Sequence, residues 1–341
     1  MEIASLGKVG LTDRLTEQLI VRNASTFRGA GNDAAVLHYA DKEALFASQL
    51  LLEGIHFDLT YFALKLVGYK AANACFSKIY AMNGQARQLS LNLGISKRFS
   101  VENIDELFLG IEYACERHGV DIVAVDTSAS LTGLTIALSC VGEAERQQIV
   151  YRNGAQINDL LCVSGDLGAA YMGLQLLERE KAVHTGDSDF TPDFSGKEYL
   201  LERQLRPEAR KDIIEILAKN QILPTAMIAV CDGLTSDLLH LCRASKVGCV
   251  VYEEHLPIDY QTAMMAERFN MNLTAVALNG GDDYELLFTV PLTMHEKIQA
   301  IDGVKLIGHI VSADNGANLI ARDGSQIPLT AQAWTQVSDN E

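Results

Sequence analysis

Apolar positions recur along the chain at two spacings, and each spacing predicts a different element. Residues 32–59 hold two β-like runs, AAVLHY and ALFASQLLLEGIHF, parted by a turn at Asp41-Lys42-Glu43. Residues 62–82 are apolar at helical spacing with few charges, which predicts a helix buried on most sides. Residues 102–118 repeat Phe108, Ile111 and Cys115 on one helical face, and Ser100 or Asn103 is placed to cap that helix. GLTIALSCVGEA predicts a buried strand. The polar, turn-rich ERQQIVYRNGAQIND that follows puts a domain boundary near residue 145, dividing 1–144 from 145–341. Beyond it, DLLCVSGDLG reads as strand then turn and AAYMGLQLLEREKAV as a helix. Residues 184–198 read as a polar loop, and helices are expected at 208–220 and 233–245. VGCVVYEE reads as a strand, and NGGDDYELLFTV as a turn entering one. Alternating strands and helices in both halves predict an α/β class with α+β layers.

The chain has 341 residues, 48% of them hydrophobic, which is enough for two domains with separate cores. Its net charge is −16, from 44 acids against 28 bases, so a polyanion is repelled and nucleic-acid binding is not expected. No apolar run reaches the roughly 18 residues of a membrane helix, and MEIASLGKVGLTDRL has no long apolar core of a signal peptide, so a cytoplasmic location is expected. The seven cysteines, among them Cys140 and Cys162, sit scattered in apolar runs without a C-x-x-C pair, as buried thiols of a reducing compartment do.

Two familiar phosphate motifs are excluded. Gly29-x-Gly31-x-x-Ala34 lacks the strand–turn–helix setting of a dinucleotide fingerprint, and the chain has no G-x-x-x-x-G-K-[ST]. What remains is a set of acidic, mostly glycine-bearing turns after strand-like segments. They are Gly31-Asn32-Asp33, Glu53-Gly54-x-His56, Asp126-Thr127, Gly165-Asp166-Leu167-Gly168, Asp232-Gly233 with Asp237, and Gly280-Gly281-Asp282-Asp283-Tyr284-Glu285. A single such turn is more often a cap than a ligand. Together, acids at strand ends can gather Mg²⁺ shared with substrate phosphates, and the glycines let backbone N–H groups approach phosphate oxygens. Phosphoryl transfer needs little beyond such positioning and positive charge.

These turns resemble, in order along the chain, those of the thiamine-monophosphate kinase family. Gly31-Asn32-Asp33-Ala34-Ala35-Val36 is similar to G-D-D-A-A-V, Leu52-Glu53-Gly54-Ile55-His56-Phe57 to V-E-G-V-H-F, and Ser77-Lys78-Ile79 to S-D-[LI]. Tyr151-Arg152-Asn153-Gly154-Ala155 resembles T-R-x-G-A, Arg206-Pro207-Glu208-Ala209-Arg210 resembles R-P-x-P-R, Cys231-Asp232-Gly233-Leu234 resembles I-S-D-G-L, and GGDDYEL at 280–286 resembles G-G-E-D-Y-E-L. The resemblance implies a two-domain fold like that of aminoimidazole ribonucleotide synthetase, whose N-terminal domains pair their sheets into a dimeric β-barrel. It implies transfer of the ATP γ-phosphate to thiamine monophosphate, assisted by Mg²⁺, in a homodimer. Carried over by position, Asp33, Asp126 and Asp232 would be metal acids, with Asp232 at the reacting centre. Glu53, Gly54, His56, Asp126, Thr127 and Arg152 would meet the nucleotide, and Asp237, Asp283 and Trp334 the substrate.

The chain departs from that pattern at several acids. Asn32, Gln49 and Ala169 stand where the family has aspartate, Lys78 replaces another, and Val125 replaces a glycine. Three of these changes each remove one negative charge, and Lys78 reverses one. Unit charges about 4 Å apart interact by about 4 kcal/mol at an effective dielectric of about 20, which opposes gathering several dications there. Two readings stay open: a kinase with a reduced metal set, the Lys78 ammonium replacing one cation, or a catalytically impaired paralogue that keeps a ligand-binding or structural role. Other enzymes of the same fold, selenophosphate synthetase and the hydrogenase maturation factor among them, lack the E-G-x-H-F and G-G-x-D-Y-E-L matches.

Overall fold

The computed structural model describes residue 11 and residues 14–28, 35–183 and 194–331. Contacts divide the chain into two compact units, Met1–Ile149 and Val150–Glu341.

In the first unit β1 (Thr26–Arg28) and β2 (Val36–Leu37) form an antiparallel pair. A four-stranded sheet is built from β3 (Glu43–Leu52), β4 (Gln85–Ser96), β5 (Asp121–Ser130) and β6 (Leu134–Ala144), in the order β3-β6-β4-β5. Only β4 and β5 run parallel, and α2 (Val101–His118) makes the crossover that parallel neighbours need. The helix expected at 62–82 is α1 (Leu64–Tyr80), which lies on β3 and β6 and is covered in turn by α2. Both candidate caps of α2 act together: Ser100 Oγ accepts from the Asn103 N–H while Asn103 Oδ1 accepts from the Ser100 N–H. The helices meet closely because Gly68 and Gly110 have no side chain there. A Cβ on Gly110 would lie 1.8 Å from the Lys65 carbonyl oxygen.

Alternation along β3 buries Leu45 and Leu51 and exposes Phe46, Leu50 and Leu52 on the face away from them. The long strand β4 has no counterpart in the sequence reading, nor has the short β1, although Leu89, Leu91, Leu93 and Ile95 alternate as a strand should.

The second unit is built on seven strands: β7 (Leu160–Ser164), β8 (Ala226–Val230), β9 (Gly248–Tyr252), β10 (Glu285–Val290), β11 (Val304–Val311), β12 (Ala317–Ile320) and β13 (Gln326–Pro328). Their order is β13-β12-β9-β11-β7-β10-β8, antiparallel except between β9 and β12. The helices that bear on the site are α3 (Ala169–Val183), α4 (Glu198–Leu205), α5 (Lys211–Lys219), α6 (Leu234–Ser245) and, after β9, α7 (Tyr260–Arg268) and α8 (Leu273–Asn279), the last leading toward β10. Leu234, Leu238 and Leu241 of α6 pack with Val163, Ile228, Val230 and Leu287 of the central strands. A second cluster joins Met172 and Leu176 of α3 to Leu200 of α4, Met265 of α7 and Val276 of α8. Of these helices α4, α7 and α8 were not expected from the sequence; α4 has eight residues, and only Leu200 and Gln204 are buried. All seven cysteines are unbridged; six are buried and Cys231 is half-buried.

Candidate functional site

Strand polarity gathers the acidic turns of the second unit. Because β10 runs antiparallel to both β7 and β8, its first residue, Glu285, stands at the exits of those strands. The turn after β7 (Gly165 to Gly168), the turn after β8 (Cys231 to Gly233) and the Gly280–Tyr284 turn before β10 therefore share one rim. The last is fastened to the second by Asp282 N–H donating to the Cys231 carbonyl at 2.8 Å and Tyr284 N–H donating to Val230 at 2.8 Å. Gly165 has φ +57°, and a Cβ there would lie 2.2 Å from Glu285 Oε1, so only glycine fits.

Within this rim the carboxylates divide by burial. Asp232 is exposed and Asp282 half-buried. Asp237, 4% exposed, reaches back from α6 to accept from the N–H groups of Cys231 at 2.8 Å and Asp232 at 3.0 Å. Burial raises its pKa to about 7, helped by the Asp232 charge and opposed by the two N–H donors and Arg152. Asp283, 1% exposed, accepts from the Gly168 N–H at 3.1 Å. Burial likewise raises its pKa to about 7, with Glu285 and Asp166 adding to the shift and Arg203 opposing it. Asp237 and Asp283, which the resemblance puts on the substrate side, each hold a turn. Arg152 is exposed, close enough to Asp237 and His240 to bias both: burial, then Arg152 and Arg243, lower the His240 pKa.

Two arginines and a tyrosine that the motif reading left without a role complete the rim. Arg203 Nη1 lies 3.0 Å from Glu285 Oε1, and its Nη2 donates to the Asp166 carbonyl at 2.9 Å and lies 3.9 Å from Asp283. Arg210 bridges Glu285 and Asp212. Tyr199 donates to Asp166 Oδ2 at 2.6 Å. Burial works against the Arg203 charge, but Glu285, Asp166 and Asp283 outweigh it and its pKa is raised. Their signal in the sequence is spacing: Tyr199 and Arg203 are four apart, on one face of α4.

In the first unit the candidates stay apart. Glu53 closes β3, accepting from the Leu134 N–H at 2.8 Å and pairing with Arg98. Gly54, at φ +80°, makes the turn in which His56 Nδ1 accepts from the Leu52 N–H at 3.0 Å. Asp126 and Thr127 are not a turn after a strand, as the sequence suggests, but lie inside β5, because the apolar run continues past them into Ser130. Asp126 is exposed and Thr127 buried. β3 and β5 are opposite edges of the sheet, so Glu53 and Asp126 do not converge within this unit. The Lys78 ammonium donates to the Ser48 carbonyl at 2.6 Å, beside Gln49. That position presents a cation and a neutral amide, and it does not fit a metal ion. Ala169 begins α3 and is fully buried. Asn32, Asp33 and Trp334 lie outside the described residues. Among the described residues no group of three or more His, Cys, Asp or Glu is arranged to hold a metal ion.

Comparison with known proteins gives the likeness directly. Residues 31–144 match the family model "AIR synthase related protein, N-terminal domain". The chain is 32% identical over 291 residues to the thiamine-monophosphate kinase of Aquifex aeolicus (strain VF5), covering 85% of this chain and 88% of that protein. A crystal structure of thiamine-monophosphate kinase from Stenotrophomonas maltophilia K279a superposes with a TM-score of 0.77 at 26% identity, covering 92% of this chain and 96% of that one. A structure named "AaThiL complexed with AMPPCP and TMP" superposes with a TM-score of 0.72 at 30% identity, covering 96% of each chain.

Proposed function

Since the chain belongs to the thiamine-monophosphate kinase family, we propose that it transfers a phosphoryl group from ATP to thiamine monophosphate, giving thiamine diphosphate. The observation that carries this is the likeness over 96% of both chains to a structure complexed with AMPPCP and TMP, a nucleotide analogue and a second ligand of that protein. The rim of the second unit offers matching chemistry. The exposed Arg152 guanidinium presents a fork suited to phosphate oxygens. Asp237 fixes the backbone on which exposed Asp232 stands, so the Asp232 carboxylate faces outward from a held turn. Magnesium, when bound, would supply positive charge to the transferred phosphate. Asp232, an exposed oxygen ligand, would hold it, and Asp126, exposed on β5, belongs to the metal set of this reading. Glu53, Gly54, His56 and Thr127 belong to the nucleotide side of this reading, Asp33 to its metal set and Trp334 to its substrate side.

The same reading makes the protein a homodimer joined through the open face of the four-stranded sheet, where Phe46 and Leu50 are 73% and 51% exposed. Its unbridged thiols suit the reducing cytoplasm, and no helix among the described residues is long and apolar enough to cross a membrane. Purified protein given ATP, Mg²⁺ and thiamine monophosphate is expected to form thiamine diphosphate. No turnover where a family relative works would overturn the proposal.

A second reading, a kinase of reduced activity or a silent ligand-binding paralogue, is favoured by one observation: the Lys78 ammonium on the Ser48 carbonyl beside Gln49. On that reading Lys78→Asp restores little activity, because Asn32, Gln49 and Val125 remain. A large gain from that single change would refute it.

A further inference from the structure

We propose that Arg203 is a positioning residue for phosphoryl transfer, tying the turn before α3 to the turn that carries Asp282 beside Asp232. The inference rests on the kinase reading above and adds to it a residue that no motif supplies. Its geometry is a closed loop. From α4 the guanidinium donates to the Asp166 carbonyl, in the first turn, and pairs with Asp283 in the second and Glu285 just after it. Asp283 returns to the first turn by accepting from the Gly168 N–H at 3.1 Å. Tyr199, one helical turn earlier on α4, holds the Asp166 side chain. The second turn is in turn fastened to the backbone around Asp232 by the Asp282 N–H on Cys231. A shift of Arg203 is therefore transmitted toward Asp232 through its ion pair with Asp283 and the Asp282 N–H bond to the Cys231 carbonyl.

Stability is a poor reason for such a cluster. Burying a guanidinium among three carboxylates costs desolvation that their attraction only offsets, so replacing such groups by apolar ones is often neutral. What the cluster supplies is register: a planar fork reaches a carbonyl and two carboxylates at once, which a lysine ammonium on a flexible stem does not reproduce. Arg210 shares Glu285 but turns its other edge to exposed Asp212, so it buttresses one acid and links no second turn.

The test compares wild type, Arg203→Gln, Arg203→Lys and a control away from the acidic turns, Lys297→Gln, whose ammonium donates to the Asn220 carbonyl. Two readouts are taken: steady-state kinetics, and amide hydrogen exchange at Gly168 and Asp282 against Ile228 in β8. Arg203→Gln is expected to lower kcat roughly 10²-fold, as small misplacements of reacting groups do, with KM for both substrates nearly unchanged. Exchange at Gly168 and Asp282 should quicken while Ile228 stays protected. Arg203→Lys should recover only part of the rate, and Lys297→Gln should match wild type. Undiminished kcat in Arg203→Gln, or exchange that quickens equally at Ile228, overturns the proposal. If wild type shows no turnover, the kinase reading fails and the exchange pattern alone decides whether Arg203 couples the turns. Should Arg203→Gln not fold, Tyr199→Phe replaces it. A fall in kcat with faster exchange at Gly168 supports the proposal, and neither change refutes it.

Discussion

At Asp237 two backbone N–H groups favour the carboxylate while burial opposes it, and burial wins, lifting the pKa from 3.8 to about 7. A raised acid binds its proton more tightly in the folded chain than in the unfolded one. Its contribution to stability is therefore complete below the unfolded value and is lost as pH rises through the window from 3.8 to about 7, with no further change above. Asp237→Asn keeps an oxygen for the two N–H donors and never ionises. Urea midpoints measured across that window are expected to fall more steeply in wild type than in Asp237→Asn. Asp283 shifts in both proteins alike, so the difference between the two profiles belongs to Asp237, and parallel profiles would contradict the assignment. At this scale the acids were legible in the sequence, because glycine beside aspartate after an apolar run is a local signal. Arg203 was not. Its meaning depends on Asp166, Asp283 and Glu285, which only the antiparallel pairing of β10 with β7 brings to it.

Elements were easier to read where their period was long and their ends were marked. The α2 helix carries both signals, a capping box at Ser100 and Asn103 and a left-handed Gly119 at its end, and it lies where its periodicity places it. The short α4 carries neither: its predecessor Lys197 makes no capping bond, and eight residues give the apolar period little room. An acid beside a threonine reads as a turn at Asp126, yet β5 continues through it as an edge strand, where an outward acid is tolerated. Helix packing gives a prediction at this scale. Alanine at Gly110 would improve helix propensity by about 1 kcal/mol, but its Cβ meets the Lys65 carbonyl oxygen at 1.8 Å, backbone against backbone. The helices must then separate, and overpacking of this kind costs about 1–3 kcal/mol. Gly110→Ala is expected to lower the melting temperature. An unchanged or higher Tm would show that α1 and α2 can part without loss.

For the whole molecule the open sheet of the first unit decides what a single chain can do. Alternation along β3 sends Leu45 and Leu51 inward and leaves Phe46, Leu50 and Leu52 in water, opposite Val141, Ala137 and Thr135 of β6. Burying apolar surface is worth roughly 25 cal/mol per Å², so an exposed phenylalanine and two leucines on one sheet face favour a covering partner. A second copy is the partner the family reading supplies, and its sheet presents the same face, as a two-fold interface requires. Charge gives the contrast needed to test it: an aspartate at the centre of such a face must be desolvated on pairing, at a cost of several kcal/mol, yet it is harmless to a chain that stands alone with that face in water. Sedimentation equilibrium of wild type is expected to give twice the 37.2 kDa chain mass, and the double variant Phe46→Asp, Leu50→Asp the single mass with its helices and melting temperature retained. Wild type sedimenting at 37.2 kDa would sink the dimer. A double variant that still pairs would move the interface off this face, and the uncovered apolar row on β3 would then need another occupant.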